Sequence, residues 1–287
     1  MTRPGPSHPL TISDLAQRTG VPAATLRSWE ARYGFPTPAR LAGGHRRYAE
    51  SDVDRVREVL RHRDAGLALE VAVRRISTES TRARSIYAEL RRRHPSLTSQ
   101  VLSKSSLVAL SHAIEDECCA RAEEPLIFGS FQRTEFLDAS RARWVELART
   151  ARAAVVFANH ATPYAEVEPG RPIEVAVPEG AALNREWAVV CDATDLRACL
   201  VAVERPGQDQ SLGARRRFDA MWSVDPEVVR DASRVAASLA DDYRPGWRPG
   251  ALTLLEEEQS GASPDLHRAS DLLNRMIGYL DLSRRPR

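Results

Sequence analysis

One lysine, three methionines and four cysteines occur in 287 residues, and each scarcity excludes something. The cysteines (Cys118, Cys119, Cys191, Cys199) form no Cys-x-x-Cys pair, so the expectation is a reduced cytosolic protein without a disulfide framework or zinc ribbon. Cys118 shares the apolar face of a helix, Cys119 points about 100° away, and His112 lies six residues from Cys118 rather than three or four, so no metal site is expected. No run of eighteen apolar residues exists, which argues against a transmembrane helix and a membrane partner. Met1–Pro9 is polar and proline-rich with no apolar stretch, so a secretion signal is not expected. Catalytic machinery is missing too. Gly43-Gly44 is not followed by Gly-Lys-Ser/Thr, and no nucleophile–base pair or paired carboxylates can be recognised. Glu115-Asp116-Glu117 reads as a solvated helix edge and Arg215-Arg216-Arg217 as a surface run. The expectation is a protein that is not an enzyme and needs no cofactor.

What is present is an ordinary globular composition, 43% hydrophobic and 28% charged, in a chain too long for one typical domain and short for three. The net charge of +2 hides an asymmetry. Residues 1–104 hold 19 Lys and Arg against 10 Asp and Glu, whereas residues 105–287 hold 22 against 29. A basic third beside an acidic remainder predicts a polyanion-binding part joined to a part with another task. With all but Lys104 of the basic residues being arginine, arginine abundance alone says nothing about function.

Thr11 and Asp14 form a capping-box pattern ahead of a short helix, and Gly20 supplies a turn. Pro22 opens a second helix in which Leu26, Trp29 and Tyr33 share one face, and Gly34 with Pro36 ends it. Two short helices around a tight turn predict a helix-turn-helix. Phe35–Ala42 then runs extended, Gly43-Gly44 turns, and His45-Arg46-Arg47-Tyr48 is strand-like, which predicts a wing. Ser51 can cap a third helix carrying Val53, Val56 and Leu60, and a fourth runs through Leu69, Val73 and Ile76. Ser77–Ser106 reads as a connector containing a brief helix over Ile86–Arg93.

Beyond it, Leu107, Leu110, Ile114 and Cys118 share a helical face, and strands are expected at Val155–Ala158, Ile173–Val177, Trp187–Cys191 and Cys199–Val203, the last two as an antiparallel hairpin. A helix is expected over Asp225–Asp242. After the Pro/Gly stretch Arg244–Gly250, Leu266, Leu273 and Leu280 stand seven apart with Ala269 and Met276 between them. That seam is two heptads long; it either docks on its own domain or pairs subunits.

The stretch from Asp14 to Val56 resembles the winged-helix DNA-binding domain of the MerR family of bacterial transcription regulators. The likeness is carried by Gly20-Val21, Thr25-Leu26-Arg27, Trp29-Glu30, Gly44-His45-Arg46-Arg47-Tyr48 and Asp52-Val53. It implies a recognition helix in the major groove of double-stranded DNA, with Thr25, Arg27, Ser28 and Arg32 off its apolar face, and Arg40, Arg46, Arg47 and Tyr48 on a wing against the backbone or minor groove, where Tyr48 either offers its hydroxyl to a phosphate or fills the space behind the wing. It also implies a homodimer on a palindromic operator or promoter, with RNA polymerase as a further candidate partner. The family's dimer element is a long helix after the DNA-binding domain; here Ser77–His94 is short and Pro95 breaks it, so pairing is expected through the second domain or the tail.

The segments "LVALSHAIEDECCA", "PLIFGSFQ", "RWVELARTARAAVVFANH", "EWAVVCDATDLRACLVAVER" and "RRFDAMWSVDPEVV" resemble the DICT domain, a sensory module found beside signalling and DNA-binding domains. The resemblance implies sensing without naming the signal. Phe131, Gln132, Trp144, Phe157, Asn159, His160 and Trp187 mix aromatic and polar character, but core packing explains most of them and no ligand residue is assigned. The expected fold is α+β: a winged helix over 10–77, a linker over 78–106, a mixed α/β sensory domain over 107–243 and a helical tail over 263–283. The expected function is a cytoplasmic, sequence-specific transcription regulator coupled to a sensor, nucleoid-associated when on DNA. The alternative is a DNA-tethered interaction module whose second domain binds a signalling protein.

Overall fold

The computed structural model describes residues 10–40, 45–48, 50–159, 168, 170–208, 213, 216–250, 252, 255–256 and 263–283. They form two compact units, Met1–Thr81 and Arg82–Arg287.

In the first unit, α1 (Ile12–Thr19) starts on the expected capping box: the Asp14 N–H donates to the Thr11 hydroxyl and the Thr11 N–H to the Asp14 carboxylate. The helix stops at Gly20, whose φ of 74° lies in the left-handed region that a glycine enters without steric cost. Helix α2 (Ala23–Tyr33) follows, then the antiparallel pair β1 (Ala39–Arg40) and β2 (Arg46–Arg47), α3 (Glu50–Asp64) and α4 (Leu69–Ala83). Leu15, Leu26, Trp29, Phe35, Val53, Val56, Val73 and Ile76 close one core. Leu26 is fully buried at its centre, where truncation to alanine costs about 2–5 kcal/mol. Helix α3 begins at Glu50, so Ser51 lies inside it rather than capping it.

The second unit is a seven-stranded mixed sheet covered on both faces. Its strands are β3 (Gln100–Ser103), β4 (Leu126–Phe131), β5 (Ala153–Ala158), β6 (Ile173–Ala176), β7 (Glu186–Asp192), β8 (Arg197–Glu204) and β9 (Arg217–Ser223), in the spatial order β3-β9-β8-β7-β4-β5-β6. From β3 to β4 each neighbour is antiparallel, whereas β4, β5 and β6 run parallel. Period-two alternation divides the buried residues. Phe128, Val155, Phe157, Val190, Val201 and Met221 meet α5 (Ile86–Arg93) and α8 (Pro226–Tyr243) on one face. Ile127, Val156, Cys191, Leu200 and Phe218 meet α6 (Lys104–Arg121) and α7 (Thr134–Thr150) on the other. Gly129 permits the closest approach: a Cβ there would lie 2.4 Å from the Trp144 ring.

Arg230 of α8 donates to both carboxylate oxygens of Asp192 on β7 at 2.7 and 3.1 Å, with both side chains buried. Removing one partner of such a pair strands the other charge, a loss of about 3–5 kcal/mol. Glu186, fully buried at the start of β7, accepts the N–H groups of Ile86 at 3.0 Å and Tyr87 at 2.8 Å, and so ties the first turn of α5 to the sheet.

Several expectations need correction. The supposed connector is structural: α5 buries Ile86 and Leu90 in the second core, and β3 is an edge strand paired with β9. Strands β3, β4 and β9 went unexpected. The Pro/Gly stretch puts Trp247 into the same core, as do Leu252 and Leu255 beyond it. Glu115 is 3% exposed and Arg216 is 5% exposed, so neither belongs to a solvated charge run. Arg216 donates to Glu204 at 3.1 Å and to Gln132 at 3.2 Å, and its guanidinium lies over the rings of Phe136 and Phe218.

Helix α9 (Pro264–Ser283) docks on its own unit. It does so by a polar and small face: Asn274, Gly278 and Asp281 are buried, and Ile277 packs against the cluster of Leu102 and Phe218. Asp281 accepts the Ser103 N–H at 3.0 Å, the hydroxyls of Ser103 and Ser106 at 2.5 Å, and an Arg217 N–H at 2.5 Å. These donors outweigh burial and hold its carboxyl down at about 2.

Candidate nucleic-acid interface

Helix α2 turns Leu26 and Trp29 inward, and Trp29 stacks on Phe35 with ring centroids 6.5 Å apart. The same register leaves Arg27, Ser28 and Arg32 exposed and Thr25 half-buried. Four of the sequence-predicted residues therefore lie together off the apolar face of one helix, two of them cationic.

The wing is tied to this unit at three points. The backbone of Tyr48 exchanges two hydrogen bonds of 2.8 Å with Leu10. Ala39 and Arg40 pair with Arg47 and Arg46. The third tie is a side chain: the Arg46 Nε–H donates to both oxygens of Glu30 on α2, at 2.9 and 3.0 Å. Glu30 is the one acidic residue of α2, and the hydrogen bond to it is the chief reason the guanidinium pKa rises. Arg46 keeps 42% of its side chain exposed despite this partner. Arg47 is half-buried and donates to the Arg46 carbonyl at 2.9 Å.

Tyr48 is a correction. Expected among the DNA contacts, it is 1% exposed, with its hydroxyl 3.4 Å from the Glu30 carboxylate. Burial, followed by the Glu30 charge, raises its pKa. The ring fills the space behind the wing. The Arg40 side chain and Gly43-Gly44 lie outside the described residues. Glu30 is the residue that sequence reasoning missed as a member of the site; a single acid within an otherwise basic helix was the available signal.

In the second unit, Trp144 and Phe157 are core, Gln132 belongs to the Arg216–Glu204 cluster, Asn159 is exposed, and His160 lies outside the described residues. Phe131 and Trp187 are half-buried. Cys118, Cys191 and Cys199 are buried free thiols and Cys119 an exposed one; the Cys191 thiol donates to Cys118 Sγ at 3.0 Å. Burial pushes the Cys199 thiol up to about 12, which suppresses the nucleophilic thiolate at neutral pH. Among the described residues, no group of three or more His, Cys, Asp or Glu side chains could hold a metal ion, and no helix is long and apolar enough to cross a membrane.

Comparison with known proteins agrees with this division. Residues 10–79 match the family described as MerR HTH family regulatory protein, and residues 84–205 match DICT, the sensory domain in diguanylate cyclases and two-component systems. The HTH-type transcriptional repressor CarA of Myxococcus xanthus is 41% identical over 86 residues, 29% of this chain and 30% of CarA. The HTH-type transcriptional regulator MlrA of Escherichia coli is 37% identical over 70 residues, 24% of this chain and 29% of MlrA. The HTH-type transcriptional activator TipA of Streptomyces coelicolor is 27% identical over 143 residues, 47% of this chain and 54% of TipA. The chain thus spans about a third of CarA and of MlrA, and about half of TipA.

Proposed function

Given a chain that carries a MerR-type helix-turn-helix domain over residues 10–79 and a DICT domain over residues 84–205, we propose that it is a sequence-specific DNA-binding transcription regulator whose second unit receives a signal. The observation that carries this reading is the pairing of α2 with the wing: Glu30 fixes Arg46 beside the exposed face that holds Arg27, Ser28 and Arg32. Seated in a major groove, that face offers Arg27 and Arg32 to base edges, with a bidentate contact to guanine as the strongest option. Arg46 and Arg47 then meet the adjacent backbone, where guanidinium groups set position and register rather than sequence.

The regulator acts as a homodimer, and the apolar stripe of α9 is its pairing surface. Six of the seven large exposed hydrophobic residues among those described lie on this helix: Leu266, Leu272, Leu273, Met276, Tyr279 and Leu280. A stripe of that size marks an interaction site, and its spacing favours a second copy. Leu266 and Leu280 are equidistant from Leu273, so an antiparallel pair about Leu273 matches leucine with leucine. The same register sets position 275, an arginine, opposite position 271, an aspartate. Such self-complementarity is what a two-fold interface requires.

Genome-wide mapping of DNA occupancy tests the reading. A regulator yields discrete peaks sharing a two-fold motif, and occupancy without any shared motif contradicts it.

A further inference from the structure

The sheet of the second unit changes character at β4, whose neighbour on one side is the antiparallel β7 and on the other the parallel β5. Of the covering helices, α6 lies on β7 and β8 and α7 on β4 and β5. Ligands of α/β proteins favour such switch points, at the carboxyl end of a strand. Here a cavity of about 270 Å³ opens at the carboxyl end of β4, walled by α6, α7 and the start of β7. Its size suits a single-ring metabolite rather than a dinucleotide, since pockets for drug-sized ligands run from about 300 to 1,000 Å³.

Three aromatic residues form its walls: Phe131, Phe136 and Trp187. Two are held in place. The Trp187 indole N–H donates to the Ser111 hydroxyl at 2.8 Å, and Phe131 meets Trp144 edge-on with centroids 5.6 Å apart. Lys104 and Glu115 stand on the lining. Lys104 is the single lysine, and its Nζ lies 4.5 Å from the Phe136 ring centroid. The carboxylate in its field is Glu204, which is itself paired with Arg216; burial, followed by the field of Arg216, lowers the Lys104 pKa against the pull of Glu204. Eleven residues along α6, Glu115 is 97% buried; its Oε2 forms an ion pair with Arg143 Nε at 3.3 Å, and the Trp144 side chain is its other neighbour, but neither gives it a well-aligned hydrogen bond. A buried carboxyl oxygen without a donor is costly unless something supplies one. Burial outweighs Arg143 and raises this carboxyl to about 7.

We propose that this cavity is the ligand site of the second unit, and that it takes a small aromatic acid whose carboxylate meets Lys104 while a hydroxyl or amino donor on its far side meets Glu115. The ring lies among Phe131, Phe136 and Trp187, where aromatic packing adds to area burial. A lysine with no ion-pair partner among the described residues at one end and a buried carboxyl that only Arg143 approaches at the other set polarity. A neutral aromatic leaves Lys104 without its counter-charge, and an acid lacking the donor leaves Glu115 Oε2 as it is now.

The site supplies the signal-receiving half of the proposed function, yet ligand binding and DNA binding can each fail while the other holds. Calorimetry on the full-length protein with para-hydroxycinnamate, cinnamate and methyl para-hydroxycinnamate reads the site directly. The expected order puts para-hydroxycinnamate first, with the other two each weaker by at least about tenfold, as loss of a charge-assisted hydrogen bond implies. Lys104→Met should abolish the preference for acid over ester, and Glu115→Leu the preference for the hydroxylated ring. If Glu115→Leu fails to fold, the three ligands on the wild-type protein still decide the matter. No binding of any of the three, or equal binding of all three, overturns the proposal.

Discussion

Glu30 holds Arg46 by both carboxylate oxygens, so the wing is positioned by the helix beside which it works. The pair is close to neutral as a unit, and Arg46 is therefore a placed group rather than a free cation. Arg47 donates to a backbone carbonyl and has only the longer-range field of Asp14 against its charge, so it is less neutralised than Arg46.

That difference can be measured. Each neutralised phosphate contributes about 0.9 to the slope of log affinity against log salt. Arg47→Ala should lower the slope by about one for every duplex tested, and the double variant Arg46→Ala/Glu30→Gln, which removes a nearly neutral pair, by less than half as much. A salt titration in which the double variant gives the larger drop contradicts the assignment.

Arg27 is exposed on α2, one turn before Glu30. Arg27→Ala should relax preference at one base pair by roughly 1–3 kcal/mol and leave non-specific binding almost intact. Competition between the selected site and its single-base variants reads this; uniform weakening across all of them makes Arg27 a backbone contact.

Leu273 sits at the centre of the exposed α9 stripe, 45% exposed and away from the docked face of Asn274, Gly278 and Asp281. Leu273→Asp should convert a dimer to a monomer in light scattering while leaving thermal stability within about 0.5 kcal/mol, as surface changes usually do. An unchanged dimer places the interface elsewhere.

Glu186 governs part of the pH dependence. Burial raises its carboxyl from 4.5 to about 7, against the pull of Ser85 and the α5 N–H groups, so the folded state favours the protonated form. Its stabilisation is complete below about pH 4.5 and is lost as pH rises through 7, a swing of order 3 kcal/mol. Glu115 shifts in the same direction over the same window. Denaturant unfolding between pH 5 and 8 should show a shallower slope for Glu186→Gln than for the wild-type protein. An unchanged slope removes Glu186 as a source.

How legible all this is in the sequence depends on whether the deciding partner is near or far. Helix α5 can be read directly, because Ser85, the Ile86–Leu90 spacing and Pro95 are local signals, and the helix spans Ile86–Arg93 as expected. The capping box at Thr11 and the hairpin of β7 with β8 are local in the same way. Strand β4 is not, because it is buried on both faces and shows no alternation. Charge runs hide their members: Glu115 and Arg216 look solvated until Arg143, 28 residues on, and Gln132, 84 residues back, come beside them. Tyr48 could be read as a contact or as a filler, and only the packing of the first core decides for the filler.

The most direct test of the central claim is the binding of full-length protein to a pool of random duplexes and to its own upstream region, followed by anisotropy from low to high salt. The account predicts affinity that falls log-linearly with salt, together with a selected subset of the pool held more tightly than the rest. Affinity for neither duplex at any salt concentration contradicts it.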